Sequence, residues 1–210
     1  MSGAERAVPG LVGKVISIHE ALKRASIGHG FGGGIALAFA VEEPRATDDI
    51  DLNIAVPVAL AEEVLAVLPP GIEAKAAAVD TIRREGQDRL RWGDTPVDLF
   101  FPQHDFHRTV AERTSELPFA ATTIPVISAT DLVVFKAMFD RPRDWLDIEA
   151  VLRAGSADVD DAVRWIGPIL GADHPARTRL PDLIDRVARA APAAEDTDPN
   201  PWRQLRRDTD

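Results

Sequence analysis

The feature that most restricts how this chain can fold is the run DIDLNI at residues 49–54. Strand side chains alternate between faces, so Ile50, Leu52 and Ile54 point one way and Asp49 and Asp51 the other. The pattern predicts a strand over 49–56 with an apolar side in the core. Two carboxylates on one side of a buried strand repel each other and lose hydration. A hard divalent cation with oxygen ligands, such as Mg²⁺, is the usual compensation.

The residues around this strand add to that reading. A glycine turn at 32–34 lies upstream, where backbone N–H groups can approach a phosphate chain with no side chain in the way. Arg45 offers a fork-shaped cation to a phosphate or a carboxylate. A second strand, PVDLFF at 96–101, carries Asp98 between Val97 and Leu99. These are the parts of a two-metal phosphoryl-transfer site, in which carboxylates hold cations that activate a hydroxyl and stabilise the leaving oxygen. The reading requires Asp49, Asp51 and Asp98 to lie on one face of the sheet and to converge on an ion. Asp48 faces away from the pair and reads as solvated or capping. Gly28-His-Gly30-Phe-Gly-Gly33 matches the dinucleotide fingerprint G-x-G-x-x-G, but a charged amphipathic helix precedes it where the fingerprint needs a hydrophobic strand.

Composition narrows the classes. Lys and Arg total 24 against 34 Asp and Glu, a net charge of −10, without the overall basic footprint of a constitutive nucleic-acid binder. The absence of cysteine removes thiol catalysis, disulfides and Cys-type zinc sites. The N-terminal residues have no apolar signal core, and the most apolar run, 32–41, is about half the length of a membrane span. A cytoplasmic protein with no membrane partner is the expectation.

Along the chain, Leu11, Val15, Ile18, Leu22 and Ala25 recur at helical spacing and predict a helix over 11–25. A short strand is expected within 27–31, a buried helix over 34–41 ending at Pro44, and a surface helix over 58–68. Residues 72–84 support no firm assignment. Gly93-Asp94 joins strands at 89–92 and 96–101 in a hairpin. Helices are expected over 106–113, from the capping sequence at 128–131 through 139, from 141 to 152, over 159–170 and over 180–188, with a short strand at 122–126. The fold class is therefore α/β or α+β, a small mixed β-sheet flanked by helices with a C-terminal helical extension. The domain reading is a core at 11–154, the extension at 155–190 and a polar, flexible tail at 191–210.

Other residues have structural explanations of their own. His104 and His107 read as surface or capping groups, and Trp92, Trp145 and Trp165 as packing groups. Lys136 sits in the apolar helix TDLVVFKAMF, either snorkelling from the core edge or reaching nucleotide phosphates. Asp144 and Asp147 suit the N-terminal turns of a helix through its dipole.

Taken together, Gly33-Gly34-x-Ala-Leu, Arg45-x-Thr47-x-Asp49-Ile-Asp51 and Val97-Asp98-Leu99 resemble the nucleotidyltransferase superfamily of the DNA polymerase β type. The chain is most similar to the AbiEii-like nucleotidyltransferase toxins and their relatives. The later Ser128-x-x-Asp131-Leu-x-x-x-Lys136 and Arg141-Pro-Arg143-Asp144-x-x-Asp147 resemble the helical segment of that group, so the resemblance spans about residues 12–154. It implies transfer of NMP from an NTP to an acceptor hydroxyl with two Mg²⁺ ions and release of pyrophosphate. Asp49, Asp51 and Asp98 would be the catalytic and metal-binding carboxylates; Gly33, Gly34, Arg45, Thr47 and Lys136 would bind the nucleotide. The acceptor would be RNA, a protein or a small antibiotic-type molecule, and a cognate antitoxin is a partner to expect. The contrasting class is a non-catalytic relative that keeps the fold, against which all three carboxylates argue.

Overall fold

The computed structural model describes residues 9–190; the segments at 1–8 and 191–210, including the expected tail, lie outside the described residues. Helix α1 (Leu11–Arg24) buries Val15, Ile18 and Leu22 completely. It leads into β1 (His29–Phe31), α2 (Gly33–Val41) and β2 (Ile50–Ile54). β2 buries Ile50, Leu52 and Ile54 and leaves Asp51 and Asn53 partly open, the alternation read from the sequence. The strand is shorter than expected, and Asp49 stands in the bend just before it. A short 3₁₀ turn at Val58–Leu60 takes the place of the start of the expected surface helix, followed by α3 (Ala61–Val67).

The unassigned stretch resolves into a two-residue strand, β3 (Ile72–Glu73), and α4 (Ala78–Glu85). The hairpin forms as read: β4 (Gln87–Trp92) and β5 (Thr95–Phe100) close on Gly93-Asp94, with Trp92 opposite Thr95. After α5 (Asp105–Glu112) comes an antiparallel pair, β6 (Ser115–Phe119) and β7 (Thr122–Val126). β6 escaped the sequence reading because it pairs with a neighbour on one side only, is largely exposed, and carries Pro118. Such an edge strand needs neither alternation nor a full set of ladder donors.

The strand order is β3-β4-β5-β2-β1-β7-β6. β2 runs parallel to β5 and β1 parallel to β7, and the other pairs are antiparallel, so the sheet is mixed. Lys14, buried in α1, donates to the carbonyl of Trp92 at 2.8 Å and to the Thr95 hydroxyl at 2.9 Å, tying α1 to the hairpin turn.

Four helices complete the described residues: α6 (Ala129–Phe139), α7 (Pro142–Ala154), α8 (Val159–Leu170) and α9 (Ala176–Ala190). Ser128 caps α6 by accepting from the Asp131 amide at 3.1 Å, as its position predicts. α9 starts earlier than expected and keeps Pro181 inside it. Both α8 and α9 contact α6, and Ala162, Ile166, Leu180 and Leu183 join the core that also contains the sheet. Arg113 bonds Asp131, which is fully buried, and Asp161 of α8, locking α6 and α8 together. Among the described residues no helix is long and apolar enough to cross a membrane.

Candidate active site

The register of two parallel strands fixes the centre of the site. Asp51 of β2 lies directly opposite Asp98 of β5, with Asn53 opposite Phe100 one row further on. Asp51 and Asp98 therefore share a side of the sheet, Asp49 stands in the bend just before β2, and all three carboxylates line one cleft of about 510 Å³. The cleft is closed by the start of α2, by α6 and by the first turns of α7.

Each carboxylate has a different environment. Thr47 donates its hydroxyl to Asp49 Oδ1 at 2.8 Å, orienting it. Asp98 is about nine-tenths buried, and the guanidinium of Arg89 grips both of its oxygens at 2.6 Å. Arg89 and Asp98 are cross-strand partners in the hairpin register, which makes this bidentate pair a consequence of the two-residue turn. Among the described residues no side chain donates a hydrogen bond to Asp51. Burial, with Asp49 and then Asp98 alongside, pushes its carboxyl up to about 7, and Lys136 and Arg141 only partly oppose this.

The glycines explain how Asp51 fits. Gly33 adopts φ +50° at the first position of α2, and a Cβ there would stand 1.7 Å from Asp51 Oδ2. A Cβ on Gly34 would stand 2.6 Å from the Thr47 hydroxyl. Gly33 and Gly34 are therefore the pair that brings the N-terminus of α2 against the acidic strand, and the helix dipole presents partial positive charge there. Gly28 and Gly30 do not line the cleft.

Arg45 is exposed at the rim. Lys136 faces the cleft but is not free: its ammonium donates to Asp147 at 2.7 Å and to Asp144 at 3.3 Å. Asp144 and Asp147 are thus more than dipole partners of α7; both are buried and both hold Lys136. Arg141 also binds Asp144, and burial of that carboxyl is outweighed by Arg141 and Lys136, which hold it below the usual carboxylate range. His107 corrects the surface reading: it packs against Phe135 at 5.5 Å, and burial depresses its imidazole to about 4. His104 stands at the N-cap of α5 without a side-chain capping bond.

One expectation is not met. The three carboxylates line one cleft, but among the described residues no three His, Cys, Asp or Glu groups are gathered tightly enough to enclose an ion. Asp98 is turned to Arg89, an ion pair the strand patterns alone did not suggest because it depends on register rather than on periodicity.

A family model described as the nucleotidyl transferase AbiEii toxin of a type IV toxin–antitoxin system matches residues 30–209. The chain belongs to the AbiEii nucleotidyl transferase family. That match takes in every residue of the acidic strand, the glycine turn and the α6–α7 corner. No curated protein matches the chain. Several solved structures are similar. One is ANT(2'')-Ia in complex with adenylyl-2''-tobramycin, at 14% identity and TM-score 0.49, covering 85% of this chain and 97% of that one. Another is the lincomycin-bound lincosamide adenylyltransferase LnuA, at 16% identity and TM-score 0.47, covering 66% and 94%. A third is a nucleotidyltransferase-like protein from Paracoccidioides brasiliensis, at 17% identity and TM-score 0.47, covering 85% and 88%.

In this AbiEii-family chain the donor set suits a hard cation. Asp49 and Asp51 offer oxygen atoms, the donor type a hard cation prefers, and the raised Asp51 carboxyl marks negative charge that the protein's own cations leave under-compensated. The missing Cβ at Gly33 keeps the space beside that carboxylate clear.

Proposed function

We propose that this chain transfers NMP from a nucleoside triphosphate to an acceptor hydroxyl and releases pyrophosphate. The observation that carries the reading is the placement of Asp49, Asp51 and Asp98 in one cleft, against the amide end of α2. Asp49 and Asp51 would hold Mg²⁺, and Asp98, gripped by Arg89 in this structure, would turn toward them to join the ligand set. Bound there, the ions supply charge neutralisation on the triphosphate and acidify the attacking hydroxyl.

The chain's own residues do the rest by positioning. The Gly33 and Gly34 amides meet the phosphate oxygens where no side chain intervenes. Lys136 spends two of its three donors on Asp144 and Asp147, which fixes its charge at the cleft wall and leaves one N–H for a phosphate. Arg45 contributes from the rim, and Thr47 acts through Asp49. Asp98 accepts the proton of the acceptor hydroxyl; each of its oxygens keeps a lone pair beyond the bond to Arg89. The hydroxyl oxygen bonds to the α-phosphorus as the bond from that phosphorus to the α,β-bridging oxygen breaks, and pyrophosphate carries off the electron pair. The acceptor in this reading is RNA or a protein, and the toxin–antitoxin family makes a cognate antitoxin the expected partner.

The test is incubation of the protein with each labelled NTP, Mg²⁺ and cell extract, with label followed into RNA, protein and small molecules. Transfer that disappears in Asp49→Ala supports the reading. No transfer, together with nucleotide and metal binding that Asp49→Ala leaves unchanged, would overturn it. Label found in small molecules alone would move the acceptor to the antibiotic class.

A further inference from the structure

We propose that Phe139, with Arg141 fixed over its ring, is the platform on which the base of the incoming nucleoside triphosphate stacks; this rests on the nucleotidyl-transfer reading above. Phe139 is the last residue of α6 and is 44% exposed. It is the one aromatic among the exposed large hydrophobic side chains of the described residues, and the one of that group that lines the cleft. Charged groups and apolar side chains such as Leu37, Leu132 and Phe135 share the lining of the cleft, and an exposed ring among them is a surface for a ligand that is itself flat and apolar on its faces.

The surroundings of the ring are built rather than incidental. The Arg141 guanidinium carbon lies 5.1 Å from the Phe139 centroid. Two hydrogen bonds to Asp144, from Nε at 2.7 Å and Nη2 at 3.1 Å, hold its planar fork in place. Asp144 is itself buried and bound by Lys136, so the plane is anchored to the wall that faces the carboxylates. Phe100 adds a second ring at 6.0 Å, tilted by 57°. It stands two residues beyond Asp98 on the same strand face, roughly 7 Å along the strand. The corner carrying Phe139 and Arg141 is pinned from behind. Asp140 adopts the left-handed conformation at φ 51° and accepts from Trp145 Nε1 at 2.6 Å, and Arg179 of α9 lies 4.3 Å from the Trp145 ring centroid. A nucleobase meets both a π face and a guanidinium plane with favourable stacking, whatever its edge pattern. The platform therefore binds the base without reading it, and discrimination among NTPs by this contact is weak.

The experiment compares binding of ATP, CTP and inorganic tripolyphosphate, each with Mg²⁺, to the full chain and to Phe139→Leu, Phe139→Trp and Arg141→Lys by calorimetry. Phe139→Leu keeps apolar bulk but removes the ring. It should weaken both nucleotides about tenfold and leave tripolyphosphate unchanged, with Phe139→Trp restoring nucleotide affinity. Arg141→Lys keeps the charge and loses the plane, and should show the same asymmetry in smaller degree. Because Phe139 is half-exposed, the thermal midpoint of Phe139→Leu should stay near that of the wild type. Nucleotide affinity unchanged in Phe139→Leu would overturn the proposal. So would an equal loss of nucleotide and tripolyphosphate, or a rise in acceptor KM alone. Wild-type protein that binds neither nucleotide nor tripolyphosphate would overturn the transfer reading itself, a distinct result.

Discussion

Replacing Gly33 by alanine tests whether Asp51 must stand where the glycine turn lets it stand. Gly33 has φ +50°, and an L side chain in that left-handed conformation costs about 1–2 kcal/mol. The added methyl would also lie 1.7 Å from Asp51 Oδ2 and 2.5 Å from its Cγ. Ordinary contact is farther by roughly 1.5 Å, so the carboxylate must swing away, at about 0.5–1.5 kcal/mol if it leaves its rotamer. The expected loss of stability is about 2–3 kcal/mol. A displacement of that size at a reacting centre costs on the order of 100-fold in turnover. Gly155 is the control: its φ is +66°, it caps α7, and nothing lies within 4 Å of where its Cβ would be. Gly155→Ala should carry the backbone cost alone, about 1–2 kcal/mol, with transfer unchanged. Urea denaturation and NMP transfer, measured on both variants under conditions where each is folded, separate the two terms. If Gly33→Ala keeps transfer within threefold of wild type, or Gly155→Ala loses as much, the argument that Gly33 exists to seat Asp51 is wrong.

Arg89→Ala frees both oxygens of Asp98; a loss of roughly 10- to 100-fold in transfer, partly recovered in Arg89→Lys, is expected in steady-state assays. Mg²⁺ should raise the thermal midpoint of the wild type and EDTA should reverse it, whereas Asp51→Asn should lose that response; an equal response in the variant would remove Asp51 from the ligand set. Arg113→Ala strands the fully buried Asp131, and chemical denaturation should show a loss of about 3–5 kcal/mol. His107 has a pH signature. Its folded value near 4 lies below the unfolded 6.5, so the unfolded chain binds the proton first as pH falls. Stability contributed by the neutral ring is present above pH 6.5 and declines between pH 6.5 and 4, by up to about 3 kcal/mol. His107→Gln should flatten that segment of the stability profile, and a slope left unchanged would assign it elsewhere.

Much of this was legible in the chain because local rules carried it. The alternation at 49–54 specified a strand and the side on which Asp51 lies, and Gly93-Asp94 specified the hairpin. The spacing of Leu11, Val15, Ile18 and Leu22 specified α1, and Ser128 marked the start of α6. Each depends on backbone period, turn conformation or capping within a few residues, and these are properties of sequence alone. β6 lacked any such signal, and α9 begins four residues before the start expected at 180.

What only the tertiary structure decided is how these pieces meet. Asp51 comes opposite Asp98 because β2 and β5, more than forty residues apart in the chain, pair in parallel with one register among several that their patterns permit. Lys136 is held by Asp144 and Asp147 because the α6–α7 corner folds one helix onto the next. The grip of Arg89 on Asp98 and the open ring of Phe139 beneath Arg141 follow from the same packing. The sequence alone determined which chemical groups were available and which face of its own element each would occupy. Their distances, and so their charges and their freedom to bind, were settled by long-range pairing, to which a local period is blind.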